Sequence, residues 1–526
     1  MSGMFEPKSD KAARRLARTE KEEKEKRKSR IIATLVITVL LLITAVAIVI
    51  NSAFIRRTLP VIQIDGVSFT TTEFEYFFNS EYMEYANFMS QFQGMGGTMP
   101  DSNRPLSSQV YNEETGETWA DIIVNSAYDR MTNYVSLYNA AMAAGFKLSD
   151  EQITSIEDDM AMIGMQAVMN GFPSTESLLQ QMFGSSMNEE IYRSIMEFIT
   201  IAVSYNEHVR ESFVYTPENL LAYYSDNKDE LDVLNYRQFT VFADQTDSAD
   251  FTDDEAHGTA ITDAAAEARL QADTIAGAIS GEDEFIAAAY EYNAGLYPAP
   301  ESTLKRTQSE RLDDNATVAW LLDETRTFGD VIVIDSDQGS NILFFVSRDD
   351  NNYRTAGMRQ LLIMRETLNP EDYMYGEDDL EYIAAFDRAE REARERAELV
   401  NSFFTAAGKT EDALIDLMAE HSDDTTEGGY YTNITKYPYQ SSHLNTMQVV
   451  PEIEEWLFDD DRSLGDSELV YTSAYGHHLL YFIGFGDIFF ELIADDRMRT
   501  RDHNAWTEGL TRGTPEKLPG FILVQM

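Results

Sequence analysis

An internal repeat in the second half of the chain constrains the fold more than any other feature. Eleven residues that begin at Trp320 align without gaps on the eleven that begin at Trp456, and six positions are identical. The two sequences are WLLDETRTFGD and WLFDDDRSLGD. Two copies of one motif indicate that two related domains follow each other along the chain.

The segments around each motif predict the same order of elements: a strand, a long helix, shorter helices and two strands. Apolar runs typical of buried strands lie at 236–242 and 342–346 in one copy, and at 358–364 and 479–483 in the other. Ala-rich helical stretches follow the first strand of each copy, at 264–279 and 382–404. We therefore predict an α+β fold with a first repeat at 231–350 and a second repeat at 351–485, each long enough for its own core.

The N-terminus predicts a membrane anchor. Residues 1–30 contain eleven basic and six acidic residues, and residues 31–50 contain no charged residue. A helix of that length spans about 30 Å, the hydrocarbon thickness of a bilayer. The basic tail outweighs Arg56 and Arg57, so we expect a single-pass protein of the cell membrane with a cytoplasmic N-terminus and an extracytoplasmic bulk. The alternative is a cleaved signal peptide, but both segments are longer than in such peptides and no cleavage site is obvious.

Residues 58–230 predict a mainly helical domain. Thr70 and Glu73 have the spacing of a capping box, and apolar residues recur at helical spacing from Trp119 to Tyr138. Further helices are predicted from Ser149 onward and at 176–183, 188–212 and 217–227. This region contains 13 of the 22 methionines. They fill helix–helix cores or form a surface that adapts to varied apolar partners.

Composition excludes several classes of function. The chain has no cysteine, so it has no disulfide, no thiol nucleophile and no Cys-bound zinc. A formal net charge of −50 opposes binding to nucleic acid, which requires cations that neutralise phosphates. The sequence has no phosphate-binding loop and no dinucleotide-binding fingerprint. We expect no cofactor, no metal site and no nucleic-acid partner.

The second repeat resembles a parvulin-type peptidyl-prolyl isomerase domain. The resemblance is carried by Arg359-Gln360-Leu361-Leu362-Ile363, Gly428-Gly429, Val450-Pro451-Glu452, Gly465-Asp466 and the run from Thr472 to Leu480. The first repeat is similar to the same domain through its strand and its Trp motif. Residues 58–230 resemble the helical chaperone domain of SurA-like and PrsA-like foldases. That family layout implies that the C-terminal segment 486–526 completes the helical domain.

The resemblance also implies which residues form an isomerase site. His478 matches the second of two family histidines, and Gln360 stands at the position of the first. Tyr430 stands where the family has Cys or Asp after its paired glycines. The apolar and aromatic shelf that binds substrate corresponds to Leu362, Ile453, Trp456 and Phe458. The first repeat has Gln238 and Asn341 at the histidine positions.

These departures from the family pattern leave two interpretations of the second repeat open. An X-Pro isomerase needs no nucleophile; it needs an apolar pocket for the proline ring and a polar cluster that favours the twisted amide. His478 belongs to such a cluster with Gln360, or it is a core histidine whose ring nitrogens are both hydrogen-bonded. We expect His477, its neighbour on the strand, on the opposite and solvent-exposed face.

The predicted function is a membrane-anchored extracytoplasmic chaperone and foldase. Its partners are unfolded or newly secreted polypeptides and X-Pro segments. Isomerase activity in the second repeat and a purely binding role there are both consistent with the sequence. The alternative from another class is a non-catalytic scaffold that keeps two decayed parvulin folds in order to bind one specific partner.

Overall fold

A computed structural model of the 526-residue chain describes residues 27–29, 32–44, 52–90, 99–101, 104–245, 254–376 and 379–523. Helices and three antiparallel β-sheets make up this described part, which agrees with the predicted α+β class. The chain divides into two compact units. Unit 1 comprises residues up to Phe213 together with those from His503 onward, and unit 2 comprises Val214–Asp502.

The predicted membrane anchor is described only in part. Residues 32–44 are helical, whereas Ile31 and residues 45–50 lie outside the described residues, as do residues 1–26 and Arg30 of the basic tail. Of the helices that the structure describes, none combines the length and the apolar character needed to cross a bilayer.

Unit 1 consists of a small sheet and a group of helices. Strand β1 (Pro60–Ile64) pairs antiparallel with β2 (Val67–Thr70) on one side and with β11 (Glu516–Lys517) on the other. The C-terminal end of the chain therefore supplies the third strand of this sheet. The helices are Ala53–Thr58, Thr71–Ser90, Trp119–Ala144, Asp150–Met169, Thr175–Phe183, Glu189–Ser212 and the last turns of Phe489–Glu508.

Two helices of unit 1 begin at residues that the sequence indicates as helix starts. The Glu73 backbone N–H donates to Thr70 Oγ1 at 3.3 Å, and the Thr70 N–H donates to Glu73 Oε2 at 2.7 Å. This pair is the predicted capping box, and Ser149 caps the helix Asp150–Met169 in the same way. The apolar faces of these helices pack around Phe74, Phe77 and other fully buried side chains.

The methionines of unit 1 fall into two groups. Met131, Met160 and Met187 are buried in the core. Met162, Met165 and Met169 have exposed fractions of 56%, 61% and 86% and lie on the face of the helix Asp150–Met169 opposite its buried residues. Met131, Met160 and Met187 thus fill the core as one interpretation expects, and binding of apolar partners by the exposed methionines stays a prediction.

Unit 2 contains both repeats. In the first repeat, β3 (Val233–Phe242), β4 (Leu304–Thr307), β5 (Val331–Ser336) and β6 (Gly339–Asp349) form a sheet in the order β4-β3-β6-β5. In the second repeat, β7 (Arg354–Ile363), β8 (Tyr430–Ile434), β9 (Ser467–Thr472) and β10 (Gly476–Ile488) form a sheet in the order β8-β7-β10-β9. The helices are Pro217–Asp226, Lys228–Leu231, Asp254–Ala276, Glu282–Tyr292, Asn315–Leu321, Leu380–Ala406, Glu411–His421, Pro451–Leu457 and the first turns of Phe489–Glu508.

The two sheets have the same connectivity. Numbered within each repeat, the strands lie in the order 2-1-4-3, and all neighbouring pairs are antiparallel. The short second strands, β4 and β8, were not predicted. Each has four or five residues, several of them polar, so neither shows the apolar run of a buried strand. The predicted domain bounds stay predictions, because both repeats lie within unit 2.

The Trp motif has the same conformation in both repeats. Trp320 and Trp456 are 9% and 6% exposed. The guanidinium of Arg326 lies 4.9 Å above the ring of Trp320, and that of Arg462 lies 4.1 Å above Trp456. Each ring packs in a hydrophobic cluster with residues of its sheet, and a cation is stacked over it.

The glycine and aspartate of the motif make the turn that joins it to the sheet. Gly329 and Gly465 have φ values of 94° and 91°, a left-handed conformation that favours glycine. Their N–H groups donate to the carbonyls of Phe345 at 3.0 Å and Phe482 at 2.9 Å. The following aspartates each accept a backbone N–H through the side chain, at 2.9 and 2.8 Å. The shared residues are therefore explained by the fold of each repeat.

The two repeats also share an ion pair between the first strand of the sheet and a short helix. Arg237 Nε donates to Glu282 at 2.6 Å, and Arg359 Nε donates to Glu411 at 2.6 Å. Each glutamate is the first residue of its helix, and each arginine also donates to a backbone carbonyl. This ion pair ties the short helix of each repeat to its sheet.

Candidate functional site

The second repeat contains a cavity of about 400 Å³ on one face of its sheet. Its apolar lining consists of Met358, Leu362, Met447, Val449, Val450 and Ile453. Its polar lining consists of Gln360, Asp424, Tyr431, Gln448, Tyr475 and His478. Strands β7, β8 and β10, the helix Pro451–Leu457 and the segment before that helix supply most of these residues.

His478 is the most deeply buried polar group of the cavity, with 2% of its surface exposed. Its Nδ1 lies 2.8 Å from Gln360 Oε1, and its Nε2 lies 2.8 Å from Thr472 Oγ1. Because the Gln360 amide nitrogen donates to Asp424, the amide oxygen accepts a hydrogen bond from the N–H at His478 Nδ1. The Thr472 hydroxyl then donates to Nε2. Both ring nitrogens of His478 are therefore hydrogen-bonded.

Asp424 accepts the hydrogen bonds at the other end of this network. Its Oδ2 accepts from Gln360 Nε2 at 2.9 Å and from the Tyr431 hydroxyl at 2.7 Å. Its Oδ1 accepts from the backbone N–H of Thr426 at 2.9 Å. A continuous chain of hydrogen bonds thus runs along the cavity from Thr472 through His478, Gln360 and Asp424 to Tyr431.

Burial and hydrogen bonding set the protonation states of the network. Burial lowers the pKa of His478 to about 4, although the nearby Asp424 carboxylate favours the charged ring. Burial alone would raise the pKa of Asp424. The hydrogen bonds from Tyr431, Thr426 and Gln360 outweigh it and hold that pKa below its usual value. At neutral pH the network therefore carries one negative charge, on Asp424.

One wall of the cavity is formed by the end of the segment 435–450, which we call the wall segment. Two of its tyrosines attach it to other parts of unit 2. The Tyr437 hydroxyl donates to Asp349 Oδ2 at 3.1 Å, and the Tyr439 hydroxyl donates to Asp496 Oδ2 at 3.0 Å. Since Asp349 is the last residue of β6, the first repeat helps to position the cavity wall of the second.

The structure places four of the sequence-predicted site residues together. His478, Gln360, Leu362 and Ile453 all line the cavity. Trp456 is buried in the core behind Ile453, and the Phe458 ring packs against Tyr353 at a centroid distance of 5.7 Å. Trp456 and Phe458 thus support the cavity without lining it. The roles assigned to all of these residues stay predictions.

Tyr430 lies outside the cavity. It is 50% exposed, and the Arg359 guanidinium lies 4.8 Å from the centre of its ring. The next residue, Tyr431, lines the cavity because consecutive strand residues point to opposite faces of a sheet. The residue that lines the cavity is therefore the one that follows Tyr430, the position inferred by resemblance.

Two features of the site were not inferred from the sequence. Asp424 joins the site because the turn after the helix Glu411–His421 brings it to Gln360, and no local pattern encodes that contact. His477 is 6% exposed, so the expectation that it faces solvent is wrong. The helix Leu380–Ala406 covers that face of the sheet, and His477 Nε2 lies 3.6 Å from Glu390 on this helix.

The corresponding strands of the first repeat carry different side chains. Asn341 lies opposite Thr240 in the strand register, as His478 lies opposite Leu362. The Thr240 hydroxyl donates to Asn341 Oδ1 at 2.7 Å. A short polar pair therefore stands where the second repeat has an imidazole beside an apolar surface. Among the described residues of the chain, no three His, Asp or Glu side chains converge to hold a metal ion.

Comparisons with known proteins add little. No protein-family model matches the chain, and no curated protein matches it. The crystal structure of PrsA from Bacillus subtilis aligns over 60% of this chain and 94% of that chain, with 11% sequence identity and a TM-score of 0.15. At that TM-score the alignment carries no argument about fold or function.

Proposed function

We propose that the chain is a foldase that binds unfolded polypeptides and isomerises X-Pro bonds in the cavity of the second repeat. The observation that carries this proposal is the cavity itself. It combines an apolar surface, which includes Leu362 and Ile453, with the buried network of His478, Gln360 and Asp424. This combination suits a prolyl amide, which has an apolar ring attached to a polar bond.

The proposed mechanism requires no proton transfer. The barrier to X-Pro isomerisation, near 20 kcal/mol, arises because the amide loses conjugation as it twists. The apolar surface would hold the proline ring while the preceding carbonyl rotates beside the polar network. A site that binds the twisted amide more tightly than either planar form lowers the barrier. His478 would hold Gln360 in place as a neutral hydrogen-bond partner, so catalysis would not depend on pH near neutrality.

Unit 1 would bind apolar segments of the same polypeptides. The exposed residues Met162, Met165 and Met169 support this role, because flexible thioether side chains adapt to varied apolar surfaces. We propose in addition that residues 31–50 anchor the chain in the cell membrane with its bulk outside the cytoplasm. The charge distribution of residues 1–57 supports that orientation.

A peptide isomerisation assay with the full-length chain tests this proposal. Substitution Leu362→Ser removes apolar surface beside the proline ring, and we expect a rate reduction of about tenfold, equivalent to about 1.4 kcal/mol. The control is Thr240→Ser at the equivalent strand position of the first repeat, which should leave the rate unchanged. A wild-type chain that does not accelerate isomerisation would refute the enzymatic part of the proposal.

One observation favours a second candidate, a non-catalytic peptide-binding or scaffold protein. Thr472 and Gln360 already occupy both ring nitrogens of His478, and Asp424 already accepts three hydrogen bonds. Suppressed aggregation of an unfolded client without faster isomerisation would identify a chaperone that binds X-Pro segments. Absence of both activities, together with one tightly bound partner, would identify a scaffold.

A further inference from the structure

Unit 1 contains two adjoining cavities of about 240 and 550 Å³, and both are lined by Glu197 and Ile201 on the helix Glu189–Ser212. The apolar lining of the smaller cavity includes Phe69, Phe77 and Phe198. That of the larger one includes Met142, Phe146 and Ile153. The two cavities adjoin each other at these shared residues, and we call them together the helix groove.

The length of the helix groove suits an extended peptide. Its lining on this helix runs from Ser194 to Ile201, a rise of about 10 Å at 1.5 Å per residue. About three residues of an extended chain cover that distance. A peptide in the groove would therefore place apolar side chains in the two cavities and one or two residues at their junction.

Glu197 lies at that junction. It is exposed to solvent and makes no hydrogen bond or ion pair with the residues that the structure describes. The other two carboxylates of the lining already have partners, since Glu73 caps the helix Thr71–Ser90 and Glu157 pairs with Arg193. One cation, Lys147, lines the larger cavity. The junction thus presents the carboxylate of Glu197 between the apolar parts of the two linings.

We infer that the helix groove binds polypeptide segments in which a lysine or arginine is flanked by apolar residues. The cation would pair with Glu197, and the flanking apolar side chains would fill the two cavities. This inference rests on the proposed function. It narrows the class of polypeptide that unit 1 would bind, because the carboxylate of Glu197 would favour segments with a positive charge. A neutral apolar segment would gain the same apolar contacts but no ion pair.

Fluorescence anisotropy with the full-length chain and labelled nine-residue peptides tests the inference. The peptides have the sequence GLFLXLFLG, with X as Lys, Gln or Glu. We expect the Lys peptide to bind the wild-type chain three- to tenfold more tightly than the Gln peptide, and the Glu peptide to bind most weakly. Substitution Glu197→Gln should remove the difference between the Lys and Gln peptides. The control Glu207→Gln, at an exposed position of the same helix outside the groove lining, should preserve it.

The outcomes separate the inference from the proposed function. Equal binding of the Lys and Gln peptides to the wild-type chain would overturn the inference and leave apolar client binding intact. If the Glu197→Gln variant still prefers the Lys peptide, the preference arises from the general acidity of the chain. That result would also overturn the inference. If no peptide binds, unit 1 has no client-binding role, and that part of the proposed function fails with the inference. Ile201→Ser should weaken all three peptides equally.

Discussion

The two repeats of unit 2 share their architecture and differ in the surface that their strands present. Both have the same strand order, the same Trp motif and the same ion pair between an arginine of the first strand and a glutamate of a helix. The second has His478 beside Leu362, whereas the first has Asn341 beside Thr240. The residues that make the repeat visible in the sequence are therefore those that build the fold, and the cavity depends on residues that the repeats do not share.

The segments that follow the second strand also differ. In the first repeat, residues 308–314 connect β4 to the helix Asn315–Leu321, whereas in the second repeat residues 435–450 connect β8 to the helix Pro451–Leu457. The longer connection is the wall segment, and it supplies Met447, Gln448, Val449 and Val450 to the cavity. The two repeats share the arrangement of their sheets, and the longer loop accounts for much of what distinguishes the second repeat.

The largest expected effect tests whether the repeats are equivalent in stability. Trp320→Ala and Trp456→Ala each remove a buried ring and its contact with the stacked arginine, and each should cost about 3–5 kcal/mol of unfolding free energy. Urea unfolding of the full-length chain, followed by hydrogen exchange in β6 and β10, would measure the two losses. A difference of more than about 2 kcal/mol between them would break the structural equivalence.

The next prediction separates the repeats by pH. The folded pKa of His478, about 4, lies below its unfolded value of about 6.5, so the ring binds a proton more readily when unfolded. The contribution of the neutral ring to stability is fully present above about pH 6.5. About 3 kcal/mol of the free energy of unfolding is lost as the pH falls towards 4. Thermal unfolding between pH 4 and 7 should show this loss in the wild type and a smaller loss in His478→Asn. Asn341→Ala, in the first repeat, should leave the pH dependence unchanged.

A smaller effect tests the polar side of the cavity. Tyr431→Phe removes a hydrogen bond to the Asp424 carboxylate and should cost about 1–2 kcal/mol. Tyr430→Phe is the matched control, because this exposed neighbour should tolerate the change within about 0.5 kcal/mol. Thermal unfolding of both variants provides the comparison. Equal losses would contradict the register that places Tyr431, and not Tyr430, at the cavity.

The smallest effect concerns the contact between the repeats. Arg306 lies on β4 and its guanidinium is 3.3 Å from Glu454, on the helix beside the cavity. Because Arg306 is 37% exposed, Arg306→Gln should cost less than about 1 kcal/mol. Denaturant unfolding at low and high salt measures the contribution of this ion pair to the free energy of unfolding. A loss above about 2 kcal/mol would show that the repeats depend on each other far more than this surface pair implies.

Local sequence patterns predicted most of the secondary structure. The capping residues Thr70 and Ser149 mark helix starts, and apolar runs mark the long strands β3, β6, β7 and β10. The Trp motif predicted that the repeats correspond, because a buried Trp, a stacked Arg and a left-handed Gly are needed together at that turn. These features depend on neighbours close in the chain.

The candidate site was predictable only in part, because its contacts join distant residues. The sequence indicated that His478 and Gln360 lie close together, and a strand register brings them within hydrogen-bond distance. It did not indicate that Asp424 accepts from Gln360, because this contact depends on how a turn lies over the sheet. His477 was expected in solvent because an alternating strand pattern does not reveal that a helix covers the second face.

The pairing of β1 with β11 has a consequence for how the polypeptide matures. Ile62 lies opposite Lys517 in this pairing, so the edge of β1 stays open until the ribosome has synthesised the chain through residue 517. All the residues of unit 2 emerge before that strand exists. A nascent or truncated polypeptide would therefore display the open backbone of β1, and such an edge is a template for pairing with other chains.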